Sequence, residues 1–336
     1  MKTGLFCTYE NPYQDAHRAI AEQNALVLHA EALGFEEAWI TEHHFSDFHI
    51  NPSITVLMAY LAGVTSRIQL GSAAVLLAFH NPVTVAEEIA SLDHLCNGRL
   101  LLGVAKGGPF PEQNQHFGIA MSESRHRMLE ALELVDKLLY GTEVSFAGKY
   151  YQCHRLTIHP KPLQSQIPVY LATSDRDAIE QAALHSFGLM GGAPFSLARL
   201  KTNLAHYRAI NAKGAEKLVL SRFFFVSRTD EEAIEEALPF IRSFVTRMTK
   251  NVSSLKHDGN TQHLKPSTNQ PTCFDETYLL ENSIIGSVAT CRDKIKRFQD
   301  ELNLGTLALK PCSFDLQKNL TSLTCYAEQI RNALSS

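Results

Sequence analysis

Ile68-Gln69-Leu70-Gly71-Ser72-Ala73-Ala74-Val75-Leu76-Leu77 is the stretch whose reading decides the fold. It is apolar or small along its whole length and shows no polar alternation. Such a strand is buried on both faces, as in a parallel sheet covered by helices. Similar runs lie on either side of it. Residues 4–9 and 37–41 read as the first and second strands, and 99–104 as the fourth. Residues 168–172, 188–191, 218–226 and 305–309 read as the fifth to eighth. Amphipathic helical stretches separate the early runs: 15–33, which Gly34 ends, then 52–65, 83–95, 122–140 and 175–186. This alternation predicts a parallel α/β architecture. Alone, it leaves both a closed barrel and an open doubly wound sheet standing. No GxGxxG follows the first strand, which weighs against a dinucleotide-binding fold.

The chain of 336 residues suits one barrel with insertions, which typically needs about 250 residues or more. We read 1–336 as a single domain. A Gly/Pro-rich loop is expected at 107–118 and a β-hairpin insertion at 144–151, turning at Ala147-Gly148. Residues 250–277 are polar and read as a mobile excursion. Apolar residues make up 45% and charged residues 20%, enough for a large core. A net charge of −4 gives no basic field for nucleic acid. The seven cysteines form no CxxC pair, which fits reduced thiols in a cytosol rather than a disulfide framework or zinc site. No run of about 18 apolar residues points to a membrane span, and the N-terminus lacks a signal-peptide core. A cytoplasmic protein is the expectation.

If the strands close into a barrel, chemistry lies at their C-terminal ends. After the second strand comes Thr41-Glu42-His43-His44-Phe45, which is either a polar loop or a site with a titratable imidazole. A metal is not expected there, because neighbouring strand residues point in opposite directions and no matching ligand cluster lies downstream. Gly71-Ser72-Ala73-Ala74 is small enough for a flat ring to approach, or simply packs the interior. Lys106-Gly107-Gly108 follows the fourth strand and suits an anion, or a surface turn. Thr173-Ser174-Asp175 opens a helix, as a phosphate site or a plain N-cap. Together these ends suggest a phosphorylated cofactor.

Thr41-Glu42-His43-His44-Phe45-Ser46-Asp47-Phe48 resembles the bacterial luciferase-like monooxygenases. So do Leu33-Gly34-Phe35 and Ala38-Trp39 before it, and His80-Asn81-Pro82-Val83, Asn97-Gly98-Arg99, Ser124-Arg125, 168–174 and Ile285-Gly286-Ser287 after it. The resemblance implies a TIM (β/α)₈ barrel with insertions that binds reduced FMN (FMNH₂), reacts it with O₂ as a flavin hydroperoxide, and oxygenates a small organic substrate. It implies His43 as the catalytic residue, and Glu42, Ala73, Ala74, Lys106, Thr173 and Ser174 as cofactor contacts. Ala73–Ala74 falls where luciferase has a non-proline cis peptide. Lys106 stands where the family has a phosphate-binding arginine, so a bidentate fork becomes a point charge. Ala105 stands where the luciferase catalytic subunit has a reactive cysteine, which argues against light emission. Residues 250–277 match the family's lid in place. No reduced-nicotinamide site is evident, so a separate flavin reductase is implied. A homodimer through helices 55–65 and 84–95 is implied too, or a heterodimer with a related chain. Phe45, Phe79, Phe110 and Phe195 are expected pocket walls for an apolar substrate, with core packing as the other reading. A non-catalytic flavin-binding subunit and a deazaflavin-dependent oxidoreductase are the alternative functions.

Overall fold

The computed structural model describes residues 1–108, 110–214, 217–253 and 275–334. Its twelve described strands are β1 (Lys2–Cys7), β2 (Glu37–Ile40), β3 (Gln69–Ser72), β4 (Val75–Leu76), β5 (Leu100–Ala105), β6 (Val144–Ala147), β7 (Gln152–Leu156), β8 (Val169–Leu171), β9 (Gly188–Gly191), β10 (Leu218–Ser227), β11 (Ile284–Ser287) and β12 (Thr306–Pro311). Eight of them close into a ring in the order β1-β2-β3-β5-β8-β9-β10-β12, and β12 returns to β1. Every pairing in the ring is parallel. The open doubly wound alternative is therefore excluded, and the fold is a TIM barrel with extra strands. β4 extends the wall along β5, β11 pairs with the far half of β10, and β6 and β7 form a separate antiparallel hairpin.

The helices sit outside the ring, and several start as their caps dictate. Asp15, Asn81, Asp175, Ser196 and Ser287 each accept a backbone N–H in the first turn of the helix that follows. Leu5, Ile40, Leu70, Leu102, Val104, Leu220 and Leu309 point outward into one continuous layer between sheet and helices. A smaller apolar cluster, with Phe223, Phe225, Ile241, Leu279 and Ile285, packs the helix Asp230–Ser253 against β10 and β11.

Inward residues fill the ring in layers, as eight strands require. At the N-terminal end the Lys2 Nζ donates to Glu37 Oε1 at 2.9 Å and to Gln69 Oε1 at 2.8 Å. Trp39, fully buried, donates its indole N–H to Glu37 Oε2 at 2.8 Å and meets Tyr170 edge-on at 5.1 Å. Gly71 makes room for that indole, because a Cβ there would lie 2.4 Å from a Trp39 ring carbon. Leu101, Met190, Val219 and Ala308 complete this plug.

The third strand is not continuous across 68–77. It stops at Ser72, passes through a cis Ala73–Ala74 peptide, and resumes at Val75. The Ser72 hydroxyl bridges to β5 by donating to the Gly103 carbonyl and accepting the Gly103 N–H, each at 2.8 Å. A Cβ at Gly103 would lie 2.0 Å from the Ser72 oxygen, so only glycine fits opposite the break. Three further expectations need correcting. The stretch 107–118 contains a short helix, Pro111–His116, begun by a proline at its first position. The hairpin runs on to Leu156, because its second strand begins only at Gln152. The polar excursion is narrower than 250–277: the helix Asp230–Ser253 covers its beginning and the helix Glu276–Glu281 its end. Residues 254–274 lie outside the described residues. No helix among the described residues is long and apolar enough to cross a membrane.

Candidate functional site

Because the barrel strands are parallel, the segments after β2, β3, β5 and β8 share one rim. That rim has two chemically different sides.

On the β5–β8 side, Thr173, Ser174 and Asp175 lead into the helix Arg176–Leu184. The Asp175 N–H donates to the Thr173 hydroxyl at 3.1 Å, and Asp175 Oδ1 caps Ala178. Its other carboxylate oxygen pairs with Arg125 at 2.8 Å. Arg199, one turn into the helix Leu197–Ile210, donates to the Ser174 hydroxyl at 2.5 Å and lies over the Phe195 ring at 4.9 Å. Buried Arg222 holds the adjoining loop by donating to the Gly192 and Phe195 carbonyls. Lys106 makes no hydrogen bond or ion pair among the described residues. Burial lowers its pKa, and the neighbouring Arg125 lowers it further, against Asp175. Three cations and two hydroxyls thus surround a helix N-terminus, where backbone amides point outward. The donor set suits a compact dianion such as a terminal phosphate. Lys106, Thr173 and Ser174 were expected here. Arg125 and Arg199 were not, because they lie within helices and not at strand ends.

On the β2 side, the Glu42 carboxylate is buried and spent. Oε1 accepts from His44 Nε2 at 2.6 Å and His80 Nε2 at 2.7 Å, while Oε2 accepts the Leu76 N–H at 3.0 Å. Burial works to raise this carboxyl, but the two imidazole hydrogen bonds outweigh it and hold it below its ordinary value. Burial likewise works to lower His80, and its bond to Glu42 leaves it raised. The three side chains offer ligand atoms within 4.8 Å of one another, yet the same atoms already satisfy each other as a hydrogen-bond triad. Glu42, expected among the cofactor contacts, therefore joins the segment after β2 to β4 and to the start of the helix Pro82–Leu95.

His43 lies apart from that triad. Its ring stacks on His49 with centroids 4.6 Å apart, and its ring nitrogens make no hydrogen bond among the described residues. Burial pushes its pKa well below 6.5, and His49 and Lys310 add to the effect. His49 is lowered to about 3 by burial, then by Lys310 and Arg247. Lys310 is the inward residue of β12 beyond Ala308. It is 5% exposed, pairs with Glu10 at 2.9 Å and faces the rings of Phe223, Phe240 and Phe244 at 5.1–5.7 Å. The period of two in Thr306-Leu307-Ala308-Leu309-Lys310 was the signal for this lysine, but the expected strand ended at Leu309.

The cis Ala73–Ala74 peptide lies between β3 and β4, between these two sides. Of the four expected pocket phenylalanines, Phe45 and Phe79 are brought together by Phe117. Phe79 stacks on it at 4.9 Å, Phe45 approaches at 5.5 Å, and His44 meets its edge at 4.9 Å. Phe45 is 64% exposed. Phe110 lies against the Gly108 turn, and Phe195 sits with Arg199 in the cationic side.

Comparison with known proteins bears directly on this arrangement. Residues 1–302 match the sequence profile of the luciferase-like monooxygenases. The chain belongs to this family. Limonene 1,2-monooxygenase of Rhodococcus erythropolis is 28% identical over 246 residues, which are 70% of this chain and 63% of that protein. The match thus spans under two thirds of the relative's length. In structure, the monooxygenase RslO1 of Streptomyces bottropensis superposes with a TM-score of 0.85 at 21% identity, covering 99% of this chain and 100% of that one. The oxygenating constituent of 3,6-diketocamphane monooxygenase from Pseudomonas putida, solved with FMN, gives 0.81 at 19% identity, covering 99% and 98%. At these identities the two structures speak for the fold. The luciferase-like family comprises flavin-dependent oxidoreductases, and its members include FMN-dependent monooxygenases and F420-dependent enzymes.

Proposed function

We propose that this luciferase-like protein is an FMN-dependent monooxygenase that oxygenates a small, largely apolar organic molecule with O₂ and receives reduced FMN from a separate reductase. The observation that carries the reading is the cradle of Lys106, Arg125 and Arg199 around the Thr173 and Ser174 hydroxyls, on the rim it shares with His43. A terminal phosphate monoester complements it, and Lys106 has charge free to spend on one. Bound reduced FMN supplies the electrons for oxygen activation. The residues supply the surroundings: the small side chain of half-buried Ala73 lines the wall, and the Phe79–Phe117 stack excludes water on one flank. His43, neutral and with no hydrogen bond to its ring among the described residues, would accept a proton from the bound ligand.

The test is fluorescence titration of the full chain with FMN, riboflavin and F420. FMN is expected to bind at least about tenfold tighter than riboflavin, because riboflavin lacks the phosphate. Tighter binding of F420 would instead favour the hydride-transfer chemistry named for the F420-dependent relatives. Oxygenation of limonene or a saturated alkanal by the FMN-loaded chain with a reductase separates an enzyme from a passive flavin carrier. We also propose a homodimer through the helix Ile54–Val64, which exposes Val56, Tyr60 and Val64 at spacings of four. Tyr60→Glu is expected to shift the mass found by light scattering from dimer to monomer.

A further inference from the structure

Three neighbouring strand ends, of β12, β1 and β2, carry a connected row of charged and titratable groups. Lys310 Nζ lies 2.9 Å from Glu10 Oε1, and the same oxygen lies 4.0 Å from His49 Nε2. His49 in turn stacks on His43. The row is built rather than incidental. The segment carrying His49 pairs with Glu10 as an antiparallel bridge, and Ile50 and Asn11 add backbone bonds to Tyr9 and Phe48 on either side. The Thr8 hydroxyl also donates to Glu10. On the far side the ammonium is enclosed by three phenylalanine rings, whose faces attract a cation and give it little freedom to leave.

We propose that the Glu10–Lys310 pair is a positioning device for the reaction: it fixes a positive charge across β1 from His43, so that this ring meets its ligand as a neutral proton acceptor. Its link to catalysis rests on the reading of His43 given above; its effect on the ring does not. β12 and β2 flank β1, and Lys310 is linked to the His43 ring through Glu10 and His49 by successive separations of 2.9, 4.0 and 4.6 Å. At that range in a water-poor barrel mouth a fixed charge still acts on the ring. The other charged groups facing it are Glu10 from the end of β1 and Glu42 and His49 from its own segment. Arg247, from the helix Asp230–Ser253, acts on His49 while pairing with Asp47. Glu10 and Glu42 favour a protonated ring. Lys310 opposes them, together with burial.

Charge deletion makes the claim signed. Histidine ¹³C/¹⁵N NMR titration of the full chain, with and without FMN, reads the protonation of His43 directly, the signal being assigned by its loss in His43→Gln. Lys310→Met is expected to move His43 protonation upward by about one pH unit. Glu10→Gln is expected to move it downward or leave it, and Lys310→Arg to keep the wild-type value. Should Lys310→Met fail to fold, the double variant Lys310→Met/Glu10→Gln removes the pair without leaving a buried charge and is expected to lie above Glu10→Gln. An unmoved His43 in Lys310→Met, or in the double variant relative to Glu10→Gln, overturns the proposal. So does an upward shift in both single variants, which would report loosened packing. Since this readout needs no turnover, failure of the monooxygenase reading would leave it standing.

Discussion

The two sides of the barrel mouth differ in how they treat charge. Beside β5 and β8, Lys106 is left without a partner among the described residues, next to two arginines and two hydroxyls. Beside β12, β1 and β2, almost every charge is already matched: Glu42 by two imidazoles and a backbone amide, Lys310 by Glu10. Free charge at a rim belongs to something that arrives from outside. Matched, buried charge belongs to the protein and sets the conditions of the site. The same residue types therefore play opposite parts a few strands apart.

The largest expected effect comes from His43, whose ring makes no hydrogen bond among the described residues. His43→Ala is expected to reduce kcat by about 10²–10⁴-fold, the usual worth of a positioned proton acceptor, while FMN affinity stays within about twofold. Steady-state kinetics and fluorescence titration report the two quantities, and unchanged turnover would remove His43 from the chemistry. Next comes the triad. Glu42→Ala leaves two half-buried imidazoles and the buried Leu76 N–H without their acceptor, so urea denaturation should show a loss of about 2 kcal/mol. FMN affinity should hardly change. A variant that kept its stability and lost flavin binding would reverse the assignment of the two sides.

Lys106→Met is the mirror image. Removing an unmatched cation should weaken FMN binding by about tenfold or more and leave the urea midpoint unchanged or higher. Riboflavin affinity should not move. The last effect concerns pH. His49 is held neutral with its pKa lowered to about 3, against 6.5 when free. For a lowered group, stability is complete above the unfolded value and falls as pH drops towards the folded one. From pH 6.5 to 5 His49 alone should therefore cost roughly 2 kcal/mol, as 1.5 pH units at about 1.4 kcal/mol each, beside a contribution of the same sign from His43. His49→Gln should flatten that limb, and an identical pH profile would place the acid sensitivity elsewhere.

Much of the barrel was legible because it depends on local pattern. β9 runs over 188–191 as expected, and the helix Arg176–Leu184 starts at its aspartate cap. Burial on both faces of a parallel strand leaves a mark in every residue, and so does a cap. What was not legible depends on distance along the chain or on backbone geometry. Hydropathy runs smoothly through Ala73-Ala74 and does not register the interruption of β3; only the family resemblance pointed to the cis peptide that the structure has there. Glu42 and His80 meet across 38 positions, and Ser174 and Arg199 across 25. β11 is short and begins two residues after the helix Glu276–Glu281, too brief a run for its period to show. The candidate site was thus half visible: the strand ends announced themselves, but their partners from helices and opposite strands did not.

The indole of Trp39, seated over Gly71 and tied to the Lys2–Glu37–Gln69 knot, seals one end of the cylinder. A vessel with a single doorway imposes an order on its visitors. On the reading proposed above, substrate and product would both pass the rim that carries Lys106 and Ser174. Traffic through that rim, rather than diffusion through the barrel, then governs who enters first and who leaves last.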